Sequence, residues 1–181
     1  MKKRYGILVL AGVVSAFCVG LVAQEKTAGF PIFAALKEAR GGLKAGRTVA
    51  IFLTGNDILF TTIVEDAIDI YLTNAGFDVV NRDRLEKTVG EHVDKKKKEK
   101  TEGVAINALE IGRAVNAAFI VTGAVVIESQ EQKSLVVKIG SIQLVDVLTE
   151  KTLINVLFEP EKGQSVSETA REFVEIVKQN M

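Results

Sequence analysis

The sequence predicts an α/β domain, a mixed β-sheet of about five strands with helices packed on it, in the order β-α-β-α-α-β-β-β-α. Three observations carry this. Val49-Ala50-Ile51-Phe52-Leu53 is a short, β-branched run bounded by glycine, the signature of a buried strand. Between Asp57 and Gly76 apolar residues recur at helical spacing. Between Ala117 and Glu159 they run unbroken and then alternate, as strands joined by hairpins do.

The elements come in chain order. Residues 24–47 form a lead-in, in which Pro31 starts a short helix through Ile32, Leu36 and Ala39 that Gly41-Gly42 ends. The first strand is 48–54. Asn56 or Asp57 caps the next helix, whose inward stripe is Phe60, Ile63, Val64, Ala67, Ile68 and Tyr71, and Gly76 ends it. Phe77–Val80 is a second strand. Asp83 and Glu86 then fit a capping box for a helix carrying Leu85, Val89 and His92. After the polar tract 94–102 comes a helix with Val104, Ala108, Ile111, Gly112 and Val115 on one face. Ala117–Ile127 is a central strand, and the polar residues 128–134 are a hairpin tip. Leu135, Val137 and Ile139 alternate on one phase and Ile142 and Leu144 on the other, which predicts a bulge at Gly140-Ser141. Thr152–Glu159 is the last strand. Ser165 and Glu168 box a final helix with Val166, Ala170, Phe173, Val174 and Val177 inward.

Composition bounds the function. The chain has 181 residues, room for one ordinary domain, and its 48% hydrophobic and 25% charged content is that of a globular protein. Lys plus Arg and Asp plus Glu both number 23, so there is no basic field for nucleic acid. One Cys excludes an internal disulfide, and one His is poor material for zinc.

The N-terminus is an address. Lys2, Lys3 and Arg4 precede an uncharged stretch from Tyr5 to Ala23 that ends in Leu21-Val22-Ala23-Gln24, a small-residue cleavage site. Residues 1–23 are therefore expected to be an export signal. Cleavage ranks first, retention as a membrane anchor second, and lipidation at Cys18 third, because bulky Phe17 stands where a lipobox wants a small residue. Cleavage after Ala23 leaves 20 basic against 23 acidic residues and no Cys. Residues 48–181 then form a single domain.

No constellation of catalytic residues emerges. Gly41 to Thr48 has the spacing of a phosphate-binding loop, yet its strand comes after it rather than before, and Arg47 stands where the Lys should be. Lys95–Lys98 is flanked by Asp94, Glu99 and Glu102 with no aromatic among them, the pattern of a solvated charge run. His92 lies beside Glu91 with no second His or Cys to share a metal. No Ser sits in a Gly-x-Ser-x-Gly elbow, and Glu159 and Glu161 merely flank Pro160. No catalytic, cofactor-binding or metal-binding residue is expected, and no cofactor.

Three stretches resemble a known family. Val79-Val80-Asn81-Arg82-Asp83-Arg84-Leu85 with Glu91, Glu110 through Gly123, and Gln143-Leu144-Val145-Asp146-Val147-Leu148-Thr149 stand in matching order over residues 48–158. Together they resemble the CsgG-like family of bacterial envelope proteins, whose relatives include LpoB, FlgO and the N-terminal domain of TolB. The resemblance implies an exported, non-enzymatic α/β module that binds another protein of the periplasm or envelope, such as a cell-wall synthase, an outer-membrane assembly or a flagellar component. It implies as the alternative a structural subunit of a homo-oligomeric ring. Its residues have structural jobs: Asp83 caps a helix, Gly112 permits close packing, and Gly123 relaxes a central strand. Asn81 stands where the family has an acid, and Glu150 where it has Gly. With only a polar tip at 128–134 and the tract around Lys95 to offer, a membrane-spanning pore is not expected, and membrane contact comes through the N-terminal segment alone.

Overall fold

The computed structural model describes residues 32–35, 43–98, 107–129, 135–159 and 164–181. Its elements are β1 (Ile32–Ala35), β2 (Thr48–Gly55), α1 (Ile58–Asn74), β3 (Asp78–Val79), α2 (Arg82–Lys98), α3 (Ala108–Ala114), β4 (Phe119–Ser129), β5 (Leu135–Asp146), β6 (Thr152–Phe158), β7 (Gln164–Ser165) and α4 (Val166–Gln179). The five expected strands are present in the expected order, joined by β1 and β7. The sheet runs β1-β6-β5-β4-β2-β3, with β7 paired to β5. It is mixed: β2 is parallel to β3 and β4, whereas β4–β5, β5–β6 and β1–β6 are antiparallel.

One face carries the larger core. Ile51, Leu53, Val121, Val125, Ile142, Leu144 and Val156 meet Val64, Ile68 and Leu72 of α1 and Ala170, Phe173 and Val177 of α4. The expected stripe of α4 is buried throughout, and both halves of its Ser165–Glu168 capping box are formed. On the opposite face α2 and α3 cover only one end of the sheet, where Leu85, Ile111 and Val115 pack on Ala50, Ile120 and Val145. Each fully buried Leu, Ile, Val or Phe contributes roughly 1.5–3 kcal/mol, so the first face dominates stability.

The lead-in helix is corrected. Ile32–Ala35 is a strand, paired antiparallel with Ile154–Leu157, because pairing along the edge of β6 satisfies its backbone groups where local Ala and Leu propensity favoured a helix. The remainder of that helix, at 36–42, lies outside the described residues, as do Val104 and the tip at 130–134. The bulge is also corrected. Gly140 and Ser141 pair in register with Val125 and Ala124, and the extra residue is Lys138, because Val126 pairs with Ile139 and Ile127 with Val137. A Cβ on Gly140 would stand 3.0 Å from Val125 Cγ1, so Gly140 keeps its inward place and the slip falls before Ile139. Ile139 is thereby turned outward.

Two helix starts differ in detail. Asp57 is the cap of α1, accepting from the Phe60 N–H at 3.0 Å. The cap of α2 is Asn81, not Asp83: Asn81 Oδ1 accepts the Asp83 N–H at 2.8 Å, leaving Asp83 in the first turn, where it favours the helix dipole. Ile63 is exposed and belongs to no inward stripe; its place is taken by Thr61, which donates to the Asp57 carbonyl at 2.6 Å. Gly76 ends α1 as expected. Its φ is +89°, and the Gly76 and Phe77 N–H groups close back on Thr73 and Leu72.

The β5–β6 turn shows what Glu150 does in the place of a glycine. Its φ is +59°, a left-handed conformation that L side chains resist, and its carboxylate pairs with Arg113. Both partners are about half exposed, so the pair is worth at most ~1 kcal/mol, whereas the conformation costs about 1–2 kcal/mol. Glu150→Gly is therefore expected to be neutral or to raise the melting temperature by a few degrees, about 2–4 °C per kcal/mol at this size. A clear drop in a thermal melt would show that the ion pair outweighs the strain.

Candidate functional site

In an open α/β sheet, a ligand crevice forms where the strand order reverses. Here that point is the carboxyl end of β2, because α1 leads to β3 on one side and α2–α3 lead back to β4 on the other. The crevice is closed by the protein's own groups. Asn56 clasps the β4 backbone, donating from Nδ2 to the Ile127 carbonyl at 3.0 Å and accepting the Ile127 N–H at 2.9 Å. Thr54 Oγ1 donates to the Gly123 carbonyl, and a Cβ on Gly55 would lie 2.0 Å from Thr61 Oγ1. The glycine-rich approach to β2 is likewise structural: Gly46, at φ +78°, donates its N–H to the Gly76 carbonyl at 2.7 Å, docking the turn on the end of α1.

The other sequence candidates scatter. His92 Nε2 lies 2.7 Å from Glu110 Oε2, off the line of a good hydrogen bond, so the contact tying α2 to α3 is a charge contact when His92 is protonated. Lys95–Lys98 form the last turn of α2. Glu159 is exposed at the end of β6, and Glu161 lies outside the described residues. Among the described residues no cluster of His, Cys, Asp or Glu could hold a metal, and no helix is long and apolar enough to cross a membrane.

Sequence reasoning missed one partly buried acid. Glu65 accepts the Leu53 N–H at 2.8 Å, a donor beyond the reach of short β3, and lies 3.4 Å from Arg82. Arg82 also pairs with Asp66 at 2.7 Å and donates to the Thr62 carbonyl, pinning α2 to α1. Burial raises the Glu65 pKa above its ordinary value, opposed by the Leu53 N–H and by Arg82. A raised acid contributes stability that is complete below its unfolded pKa and lost as pH rises through the folded one. Relative to Glu65→Gln, the wild-type chain is therefore expected to gain stability as pH falls from 7 toward about 4.5. Paired thermal melts across that range check this, and a constant difference would refute it. The signal was visible: Glu65 stands four residues after Thr61 and three before Ile68, on the buried side of α1.

What remains is a surface. Beyond the end covered by α2 and α3, the second face of the sheet is open among the described residues. Its rows, read across the strands, are Phe52–Thr122–Gln143–Asn155, then Thr54–Ala124–Ser141–Leu157, then Val126–Ile139. None of these side chains is charged. Exposure rises along the rows, to 40% at Val126 and 45% at Ile139. Ser141 Oγ donates to Asn155 Oδ1 at 3.1 Å, and the Glu128–Lys138 pair stands at the upper rim. Fold and surface together define an α/β module with an uncharged, partly exposed sheet face.

Comparison with known proteins gives likenesses of fold. No family model matches the chain, and no curated protein matches it. Among solved structures it is similar to the PelC dodecamer from Paraburkholderia phytofirmans, at 13% identity and TM-score 0.49, covering 82% of this chain and 94% of that one. It is similar to the LpoB C-terminal domain from Salmonella enterica at 17% identity and TM-score 0.43, covering 65% and 84%. It is also similar to TolB from Acinetobacter baumannii at 17% identity and TM-score 0.35, covering 82% of this chain and 29% of that one. At these identities the likeness extends to the fold alone.

Proposed function

We propose that this chain is a non-enzymatic, exported protein of the bacterial envelope that binds another envelope protein through the open face of its sheet. The observation that carries the reading is the uncharged surface from Phe52 to Ile139. Protein interfaces are depleted of charge at their core and rich in groups that pack or accept single hydrogen bonds, and Thr122, Ser141, Gln143 and Asn155 around Val126 and Ile139 supply both. A nucleic-acid surface would need cations in those rows. The export signal expected at 1–23 and the resemblance of three stretches to the CsgG-like family support the compartment.

A second reading, the homo-oligomeric ring subunit, is favoured by β1. One edge of the sheet is guarded: β3 is two residues long, and beyond it Glu65 takes the Leu53 N–H. The other edge is Ile32-Phe33-Ala34-Ala35, uncharged, with no strand on its outer side among the described residues. Such an edge invites another strand.

In-cell photo-crosslinking from position 126 or 139 of the full chain, with mass spectrometry of the captured species, tests both readings. Capture of an identified envelope protein is expected. A ladder of self-crosslinks from the same reagent placed at position 33, with no capture from 126 or 139, would establish the ring subunit instead, and capture of cytosolic proteins alone would overturn the address.

A further inference from the structure

We infer that the outward face of α1 is a second docking surface, and that it seats an amphipathic helix of a partner protein whose apolar stripe is flanked by Lys or Arg. This surface is separate from the open sheet face, because α1 packs on the other side of the sheet, over the larger core. The helical period shows it. At about 100° per residue, Thr61, Val64, Ile68 and Leu72 fall in one arc of α1, and all four are buried. Leu59, Ile63 and Ile70 fall together on the opposite side, within an arc of about 40°. They are 64%, 38% and 61% exposed. A helix that is apolar on both sides has the pattern of one covered on both sides. Helix α4, packed on the same core, is the contrast: its exposed positions are Ser167, Glu168, Arg171, Glu175 and Lys178, all polar or charged.

Spacing and charge name the occupant. Leu59, Ile63, Asp66 and Ile70 follow one another at steps of four, three and four residues, the spacing with which one helix meets another along a seam. The stripe is three turns long, about 17 Å. Asp66 stands within it, exposed, with Oδ1 on Arg82 at 2.7 Å and no partner for its other oxygen among the described residues. Asp57 caps the helix, Asp69 stands one turn beyond Asp66, and α1 contains no basic residue. A bilayer does not fit this face, because Asp66 would be carried into the acyl region with the apolar stripe, a costly place for an ionised group. A second copy does not fit either, since two α1 helices face to face would set acid against acid with no basic residue on either. A partner helix with Lys or Arg beside an aliphatic stripe covers Leu59, Ile63 and Ile70 and brings a cation to the open side of Asp66.

The test is photo-crosslinking in the cell from positions 63 and 70 of the full chain, with the attachment points on the captured species mapped to the residue. The two positions are about 10 Å apart along α1. On a helix lying beside α1, their attachment points are expected about seven residues apart in one segment, with aliphatic residues at helical spacing and Lys or Arg among them. Attachment points about three residues apart would mark an extended segment and overturn the helix. Attachment to peptides of this same chain would establish a second copy, and attachment to lipid a membrane face; either overturns the inference. Asp66→Asn keeps an oxygen for Arg82 and removes the charge, and is expected to lower the yield from position 70 several-fold. Asp69→Asn, whose carboxylate accepts from Thr73 Oγ1, should lower it in the same direction without touching Arg82. Unchanged yields with both variants overturn the basic partner. No capture from 63 or 70, while position 126 captures an envelope protein, overturns this surface and leaves the open sheet face standing. Capture of one basic helical segment from 63 and 70 with none from 126 upholds this surface and overturns the other.

Discussion

Gly123→Ala is expected to cost the domain a large part of its stability. Gly123 lies in the middle of β4 at φ +147°, a conformation in which a Cβ would stand 1.9 Å from the Ser141 carbonyl oxygen. The neighbour is backbone of the paired strand β5, so no side chain can swing aside. Forcing a side chain into that region costs ~1–3 kcal/mol in conformation, and the steric overlap adds a comparable ~1–3 kcal/mol or more. Against a typical total of about 5–15 kcal/mol this is severe, and melting should fall by about 10 °C or more, with loss of soluble protein as the alternative outcome. Gly90→Ala is the control. Gly90 sits on the exposed side of α2 with nothing within 4 Å of a Cβ, so alanine there should stabilise by about 0.5–1 kcal/mol. If the two variants melt alike, the account of Gly123 is wrong.

The elements that were legible before the structure are those decided by neighbours in sequence. Ser165 and Glu168 are three residues apart and close their capping box locally, and the inward stripe of α4 needs nothing but the helical period. Asp57 and Gly76 are punctuation of the same kind. The misreadings share a cause: in each, a distant partner decides. Ile32–Ala35 is a strand only because β6 is beside it. The slip in β5 falls at Lys138 because Gly140 must keep its close approach to Val125, a contact with another strand. Asn81 takes the cap that Asp83 was expected to supply, since both fit the local pattern and the position of β3 decides where the helix begins.

The candidate surface was less legible than the fold for a related reason. Alternation in β4 and β5 shows that one side faces a core, and Ile120 and Val145 do meet one beneath α2 and α3. Nothing in the period says where that cover stops. Thr122, Ala124, Ser141 and Gln143 are small or polar residues on the strands just where the helices end, and in retrospect that change of composition marks the margin. The outward turn of Ile139 depends on the Lys138 slip and could not be read without the register.

Ile139→Arg is expected to abolish partner capture while leaving the fold intact. Ile139 pairs directly with Val126 across β4–β5, and the two are the exposed large apolar residues of the open face. An arginine there costs little in the free protein, because its long side chain reaches water over the rim beside Glu128. In the complex the same guanidinium must be desolvated against an uncharged partner surface, or the interface must part to admit water. Losses at a central interface position run to about 2 kcal/mol or more, roughly thirty-fold in affinity. The measurement is the yield of photo-crosslinked envelope protein from position 126, compared between the wild-type chain and Ile139→Arg at equal expression, with melting temperature read alongside. Leu148→Arg, at the far end of the sheet and more exposed still, should leave the yield unchanged. That contrast separates a specific face from a generally adhesive one: loss with Leu148→Arg and retention with Ile139→Arg would move the binding surface to the turn between β5 and β6. Retention with both would leave the β1 edge as the surface that the chain uses.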